Sequence, residues 1–508
     1  MAQHEWGWSS PPEPGGWQRA RLACALAGAL LGATPVLAQA LPAAVSSAFA
    51  RAQIPLDAVT MLVADADGKS VPRLSHRADV AMNPASVMKL VTTFAALDLL
   101  GPAYVWRTPV WLDGRVQDGV LRGNLVIQGQ GDPKLVQERL WLLLKRLQGL
   151  GIQTIDGDMV LDRRSFAQPE STPADFDGEP LRPYNVAPDA LLFNFKSVSM
   201  TFMPDLLAGV VRVSYDAPLW GVQMPASVPL STVKNAACGD YRTGLKADFG
   251  DPARLTFAGN YPAACGEKTW PVAYVDPVSY NARNLEGLWR SMGGQLVGRV
   301  RSGPAPTSAA TFELVSPALA EVIRDINKFS NNVMAQQVFL TLALPRPNPA
   351  DSAGSTLVTP VTPVTPVTPV TRDMAREVVR RWWQQRISVD GVPVLDNGSG
   401  LSRLERISAT GLLRLLQVAY ASPAMPELMS SLPIVGIDGT LKRSRAAAAS
   451  GHLKTGSLRD VTAIAGYVLT ASGKRLCLVA MVNHANAPAA RPALDALLQW
   501  AVSDNAAL

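Results

Sequence analysis

Three short motifs, far apart in the chain, carry side chains that could together perform acyl transfer. The first is Ser86-Val87-Met88-Lys89, which places a hydroxyl and an amine three positions apart. Residues at that spacing share one face of a helix, so Lys89 can serve as the base that a serine nucleophile needs. A lysine does so only in its neutral form, and we therefore expect burial or a second cation to lower its pKa.

The other two motifs supply groups that could complete such a site. Ser330-Asn331-Asn332 lies between two helical runs, and a turn there can direct a hydroxyl and a carboxamide into a cleft. Lys454-Thr455-Gly456-Ser457 lies on a predicted strand, where the lysine and the threonine suit a carboxylate and the glycine lets a ligand approach the backbone. Each motif alone has an ordinary explanation, such as a solvated lysine or a helix cap, so only the set of three indicates a function.

In this order, the three motifs resemble those of the active-serine penicillin-recognising enzymes. Ser86 and Ser330 are 244 residues apart, far more than in a compact class A β-lactamase. This spacing is similar to that of the class C low-molecular-mass penicillin-binding proteins, the D-Ala-D-Ala carboxypeptidase/endopeptidases, which carry extra domains between the first two motifs. Other segments that resemble the family are Asn83–Gly101, Gly129–Pro133, Asn327–Asn332, Gly398–Arg403 and His452–Tyr467.

The resemblance implies an α/β (α+β) fold, in which a β-lactamase/transpeptidase-like domain of antiparallel sheet and helices is interrupted by inserted β-rich domains. It also implies a serine peptidase that acts on peptidoglycan stem peptides. Ser86 would attack the carbonyl of the penultimate D-Ala, and Lys89 would take its proton. Ser330, helped by Lys454, would pass a proton to the leaving amine.

The same resemblance assigns the groups that would bind the substrate. Asn332 would hold the substrate amide and the catalytic amine, while the backbone N–H groups of Ser86 and Ser457 would form the oxyanion hole. Thr455 and Ser457 would hold the terminal carboxylate, beside Gly456, which lets the substrate approach the backbone. β-Lactams would acylate the same serine and be hydrolysed slowly.

Family members also bind the free amino-acid end of the stem, and Asp162, Phe166 and Arg403 are the candidates by motif position. The alternative for Asp162 and Phe166 is a charged turn anchored by a core phenylalanine. Arg459, two positions after the third motif, is a further candidate for a polar contact. The chain contains neither C-x-x-C nor H-E-x-x-H, so we expect no metal and no other cofactor.

Two alternatives to the peptidase stay open. One is a β-lactamase of the same superfamily, which would need a dedicated base for deacylation; the long β-rich insertion favours a polymeric substrate instead. The other is a catalytically silent cell-wall scaffold, and the intact set of catalytic side chains argues against it.

Composition excludes several other classes of protein. The chain has 508 residues, of which 48% are hydrophobic and 17% charged, so it can fill several cores and is neither disordered nor fibrous. No apolar run reaches the ~18 residues that span a bilayer, which excludes a polytopic membrane protein. The net charge of +6 comes without a dense basic cluster, so we expect no nucleic-acid partner and instead peripheral contact with an anionic wall or membrane surface.

The N-terminus predicts export. Two arginines precede the short apolar stretch Leu22–Leu31, and Ala38-Gln39-Ala40 follows it, so residues 1–40 are a predicted signal peptide and the enzyme is expected in the periplasm. In an exported protein, Cys238 and Cys265, each within Ala-Ala-Cys-Gly, are expected to form a disulfide. Cys477 lies in an apolar strand and is expected to be a buried free thiol.

The elements that must position the motifs follow from the apolar patterns. We expect residues 41–101 and 273–508 to form one transpeptidase-like domain, with 102–272 inserted as β-rich domains. The predicted elements include a strand over Val59–Ala64, helices over Asn83–Gly101, Tyr280–Met292, Ser316–Leu342, Asp373–Gln385, Ser408–Tyr420 and Ala489–Val502, and strand runs over His452–Leu469 and Arg475–Asn483. Residues 345–372 contain four Val-Thr-Pro repeats, and such a tract is an extended, exposed loop.

Deleting Val358–Pro369 is expected to leave peptidase activity near that of the wild type. The deleted tract contains only valine, threonine and proline, none of which suits the chemistry of the three motifs. The measurement is kcat on a D-Ala-D-Ala peptide, and a large loss would contradict the prediction.

Overall fold

The computed structural model describes residues 41–168, 172–233, 236–345 and 368–504. The predicted signal peptide and most of the Val-Thr-Pro tract lie outside these residues. Within the described ranges, no helix combines the length and the apolar character that a membrane crossing requires.

The secondary structure alternates between helical and strand-rich stretches. The helices are α1 Ala43–Arg51, α2 Lys89–Leu100, α3 Gln137–Gly149, α4 Tyr241–Leu245, α5 Tyr280–Ser291, α6 Leu319–Phe329, α7 Asn332–Thr341, α8 Arg372–Arg386, α9 Ala409–Tyr420, α10 Met425–Ser431 and α11 Arg491–Val502. The strands are β1 Val59–Asp65, β2 Leu74–His76, β3 Arg107–Gln117, β4 Val120–Gln128, β5 Thr154–Ile155, β6 Met159–Asp162, β7 Ser197–Asp205, β8 Val210–Tyr215, β9 Ser227–Pro229, β10 Ala247–Asp248, β11 Thr256–Phe257, β12 Lys268–Ala273, β13 Gln295–Leu296, β14 Val300–Ser302, β15 Phe312–Val315, β16 Gly451–Leu458, β17 Val461–Leu469 and β18 Arg475–Asn483.

A five-stranded antiparallel sheet of order β16-β17-β18-β1-β2 joins the two ends of the chain. Successive residues of a strand point to opposite faces of a sheet, and in β18 Leu478 and Ala480 enter one core while Val479 and Met481 enter another. Both faces are therefore covered, which explains why the strand is apolar along nearly its whole length.

Helices cover the two faces of this sheet unequally. On one face, α1 and α11 contribute Val45, Phe49 and Leu497 to a smaller core. On the other face, α2 and α6 to α10 form the larger core, in which Phe94 packs edge-on against Trp382 with 5.6 Å between ring centroids. The larger helical layer carries the first two motifs, and the sheet carries the third.

Side chains cap three of the helices of this layer. Asn331, Thr371 and Ser408 each precede a helix and accept a hydrogen bond from the backbone N–H three residues later. Such caps are each worth about 1 kcal/mol. They fix where α7, α8 and α9 begin.

The central region of the chain builds a second group of sheets around one core. Its larger sheet has the order β13-β5-β4-β3-β15, with β6 paired to β4 and β14 to β6. A four-stranded sheet, β12-β7-β8-β9, and the β10-β11 pair complete it. All described residues form one compact unit. The division into domains remains our proposal. Because β15 pairs with β3, we propose that the inserted region ends near residue 316 rather than 272.

Two predicted elements differ in the structure, and the turn expected at Ser330 between two helical runs is present. The helix expected from Asn83 starts with a 3₁₀ turn, Ala85–Met88, whose N-cap is Pro84. The run His452–Leu469 is two strands, β16 and β17, because Arg459-Asp460 makes a two-residue hairpin loop without the glycine or asparagine that usually marks one. The helical run Ser316–Leu342 is interrupted at Ser330, which has a φ of 57°.

The structure pairs Cys238 with Cys265 across 27 positions, in the strand-rich central region. Cys477 is a buried free thiol in β18, and burial raises its pKa. The disulfide therefore lies in a different core from the catalytic motifs, and its contribution is to the stability of the central region.

Replacing both Cys238 and Cys265 by alanine is expected to lower the free energy of unfolding by about 3 kcal/mol, because a cross-link restricts the unfolded chain. Denaturant titration with and without dithiothreitol measures the effect. The reductant should destabilise the wild type and leave the double variant unchanged; equal stability of the two proteins without reductant would contradict the prediction.

Candidate active site

Ser86 lies on the 3₁₀ turn that leads directly into α2, and Lys89 is the first residue of α2. The turn is held from both sides by Asn83. Its Oδ1 accepts a hydrogen bond from the N–H of Ala85 (2.8 Å), and its Nδ2 donates to the carbonyl of Ser402 (2.9 Å). Ala85 has a φ of 46°, a strained value for a residue with a Cβ, and such strain is held only where surrounding contacts fix it.

The Lys89 amine, fully buried, meets three oxygen atoms from three separate parts of the chain. Nζ lies 2.9 Å from Oγ of Ser86 and 2.6 Å from Oδ1 of Asn332, and it also donates to the carbonyl oxygen of Ser399. The first two motifs are thus joined through this amine, as the sequence analysis expected.

The surroundings of Lys89 favour the neutral amine. Burial lowers the pKa of Lys89 well below its ordinary value, and the positive charge of Lys454 lowers it further, while Glu405 acts in the opposite direction. Both conditions named from the sequence, burial and a second cation, are present.

The second and third motifs meet at Ser330. Its left-handed backbone ends α6 and turns the hydroxyl toward β16, where Nζ of Lys454 donates to Oγ of Ser330 at 2.8 Å. The same amine donates to the carbonyl of Thr455 at 2.7 Å. Burial lowers the pKa of Lys454 to about 7.

Asn332 is the first residue of α7, so its side chain leaves the helix at the end that faces the cleft. While Oδ1 accepts from Lys89, Nδ2 lies 3.4 Å from the carbonyl oxygen of Tyr184 in the central region. The carboxamide therefore bridges the catalytic amine and a wall of the cleft.

Close backbone contact brings β16 against the serine turn. A Cβ at Gly456 would lie 2.4 Å from the carbonyl oxygen of Pro84, and a Cβ at Gly400 would lie 2.0 Å from that of Ala85. Gly456 adopts an ordinary φ, so the limit there is space, whereas Gly400 also has a φ of 79°. Glycine at both positions lets two backbone segments approach Ser86.

A cleft of about 690 Å³ opens over these groups. It contains residues of all three motifs and one wall from the central region. The lining residues are Ser86, Phe176, Asp177, Tyr184, Phe329, Ser330, Asn332, Leu401, Arg403, Ser457, Leu458 and Arg459.

The structure separates the three candidates for the second binding pocket. Arg403 lines the cleft, donates to Asp460 at 2.5 Å and lies 5.0 Å above the ring of Phe176. Asp162 is buried elsewhere, where its carboxylate binds the guanidinium of its neighbour Arg164. The ring of Phe166 is in the core, against Gly131; the geometry supports a charged turn with a core phenylalanine and gives no support to a pocket role for these two.

Sequence reasoning missed three contributors to the site. The carbonyl of Ser399 and the carbonyl of Tyr184 act through the backbone, so their residue types carry no signal. Glu405, which is fully buried behind the Ser399 loop, follows the noted Gly398–Arg403 segment by two positions, and its proximity to the motif was the available signal.

Comparison with known proteins agrees with this geometry. The family model of D-Ala-D-Ala carboxypeptidase 3 (S13) matches residues 41–503. D-alanyl-D-alanine carboxypeptidase DacB of Haemophilus influenzae is 25% identical over 414 residues, 79% of this chain and 80% of that protein. A D-alanyl-D-alanine carboxypeptidase of an Actinomadura species is 27% identical over 446 residues, 82% of this chain and 76% of that protein.

The crystal structure of penicillin-binding protein 4 from H. influenzae covers 90% of this chain and 99% of its own, with a TM-score of 0.67 and 22% identity. This likeness confirms the predicted fold class. The family resemblance drawn from the three motifs is also confirmed, because the matched span includes all of them. This chain is therefore a serine-type hydrolase that belongs to the D-Ala-D-Ala carboxypeptidase 3 (S13) family.

Proposed function

We propose that this enzyme cleaves peptidoglycan stem peptides through an acyl-enzyme on Ser86, releasing D-Ala as a carboxypeptidase or a cross-linked stem as an endopeptidase. The observation that carries the proposal is the set of contacts around the Lys89 amine, together with its family membership. The steps below follow from the donors and acceptors present.

Lys89 is placed to act as the base. A neutral amine has two N–H donors and one lone pair, whereas a carbonyl oxygen can only accept. Asn332 Oδ1 and the Ser399 carbonyl take the two N–H groups. The lone pair is then directed at the hydroxyl of Ser86, 2.9 Å away, which is within the range for proton abstraction.

Ser330 and Lys454 supply the proton for the leaving group. Their hydrogen bond of 2.8 Å forms a short path from a buried amine to a hydroxyl at the cleft surface. Because the pKa of Lys454 is lowered to about 7, the amine can give up and regain a proton near neutral pH. Ser330 passes that proton to the departing nitrogen, and water then hydrolyses the ester on Ser86.

Backbone and hydroxyl groups bind the remaining parts of the substrate. The N–H groups of Ser86 and Ser457 form the oxyanion hole, a contribution for which one donor is typically worth 10²–10³ in rate. The hydroxyl of Thr455 would bind the terminal carboxylate. At the surface, Oγ1 of Thr440 lies 2.8 Å from Oγ1 of Thr455. Arg403, which also lines the cleft, is the candidate for binding the free amino-acid end of the stem.

Substrate and location follow from the family. Assembled peptidoglycan lies outside the cytoplasmic membrane, so we place the enzyme in the periplasm, as the predicted signal peptide indicates. β-Lactams acylate Ser86; the penicillin-binding protein 4 of H. influenzae has been solved in complex with a β-lactam. The net charge of +6 favours peripheral contact with the anionic wall or membrane.

Ser86→Ala is expected to abolish both covalent labelling by a fluorescent penicillin and release of D-Ala, because no hydroxyl remains beside Lys89. Labelling is read on a denaturing gel and D-Ala release by an enzymatic assay. Ser47→Ala, at an exposed serine on α1, is the matched control and should behave as the wild type.

Persistent labelling of Ser86→Ala would contradict the proposed nucleophile. Rapid, sustained turnover of nitrocefin by the wild type, without D-Ala release from muropeptides, would favour the β-lactamase. A wild type that is neither labelled nor active would favour the silent scaffold.

A further inference from the structure

The loop Asp396–Glu405 supplies the Ser399 carbonyl that accepts from Lys89. Within it, Oδ1 of Asn397 accepts from the N–H of Ser399 at 3.0 Å and from its hydroxyl at 2.7 Å. Thr92 of α2 donates to the carbonyl of Gly398 at 2.6 Å. The loop is thus tied to the same helix that carries Lys89.

A single buried carboxylate holds the start of this loop. Oε1 of Glu405 accepts from the N–H groups of Asp396 (3.2 Å), Asn397 (3.1 Å) and Gly398 (2.9 Å), the three residues before Ser399. Glu405 is 0% exposed. Three amides converging on one oxygen fix the course of the backbone. Burial raises the pKa of Glu405, and the three N–H groups act in the opposite direction by favouring the ionised carboxylate.

Glu405 also contributes a negative charge to the surroundings of the catalytic base. The charged groups that face Lys89 are Lys454, from β16, and Glu405, from the loop; Ser86, Asn332 and Ser399 present neutral groups. Oε2 of Glu405 has no hydrogen-bond partner among the described residues, so the charge on that oxygen acts through space. The negative charge of Asp396 contributes to raising the pKa of Glu405.

We propose that Glu405 is a positioning residue of the active site, which holds the Ser399 carbonyl against the Lys89 amine and supplies a counter-charge to that amine. The proposal rests on the proposed function, in which Lys89 is the base. Glu405 does not touch the substrate, and it acts by fixing one acceptor of the amine and by moderating its electrostatic surroundings.

The test is the pH dependence of the acylation rate constant with a fluorescent penicillin. A negative charge favours the protonated form of Lys89, so Glu405→Gln lowers the pKa of Lys89, and the neutral base persists to lower pH. The ascending limb of the profile should move to lower pH by on the order of one unit. The maximal rate constant should fall on the order of tenfold, because the neutral amide oxygen of Gln binds the three backbone N–H groups more weakly than a carboxylate oxygen does and so positions the loop less firmly.

Glu405→Asp is the matched variant, since it keeps the charge and shortens the reach. Glu405→Asp should lower the maximal acylation rate constant and leave the ascending limb of the pH profile at the wild-type position. An unmoved limb in Glu405→Gln, a limb moved in Glu405→Asp, or a wild-type rate in both would overturn the proposal. A wild type that is not acylated would instead overturn the proposed function, so the two failures are distinguishable.

Thr92→Val keeps the proposal testable if the Glu405 variants do not fold. It removes the hydroxyl that anchors the Gly398 carbonyl and leaves every charge in place. The expected result is a lower rate constant with an unmoved ascending limb. A rate equal to that of the wild type would overturn the claim that the loop positions the amine.

Discussion

The active site depends on the burial of one amine. Lys89 lies at the start of a helix, inside the larger core, where water cannot stabilise its positive charge. Burial of an ammonium is costly unless the charge is paired or lost, and here the second lysine makes the charged form still less favourable. The enzyme thereby holds a neutral amine beside a serine hydroxyl, and the elements around it serve to keep that amine dry and oriented.

Four distant segments meet at this amine. The serine turn and α2 come from the first hundred residues, α7 follows the long central region, the Ser399 loop follows α8, and β16 is near the end of the chain. The sheet joins β1 to β18 and so brings the two ends together. The central region adds a wall through Tyr184 and Phe176, which explains how an insertion between two motifs can shape the cleft without carrying the reacting groups.

The chemistry of the site was predictable from the sequence because it resides in side chains. Ser86, Lys89, Ser330, Asn332 and Lys454 were identified by residue type and order, and the structure brings them within hydrogen-bond distance. The backbone carbonyl of Ser399 was not predictable, since any residue could supply it. Asp162 and Phe166 were matched by motif position, but Asp162 ends β6 and its carboxylate binds Arg164, while Phe166 packs in the larger core.

Secondary-structure elements were predictable where the local sequence pattern determines them. Apolar patterns located β1, α5, α8 and β18 closely. The hairpin between β16 and β17 was missed because Arg459-Asp460 lacks the usual turn residues. The pairing of β15 with β3, on which our proposed end of the inserted region rests, is a long-range contact. The local sequence pattern indicates neither the hairpin loop nor the pairing of β3 with β15.

The state of the Lys89 amine is the central claim, and it can be observed directly. The measurement is a pH titration of lysine ¹³Cε resonances in the labelled, ligand-free enzyme, with the Lys89 signal assigned by its loss in Lys89→Met. The account predicts a Lys89 resonance that titrates well below the ordinary lysine pKa of about 10.4. A Lys89 resonance that titrates at the ordinary value would contradict it.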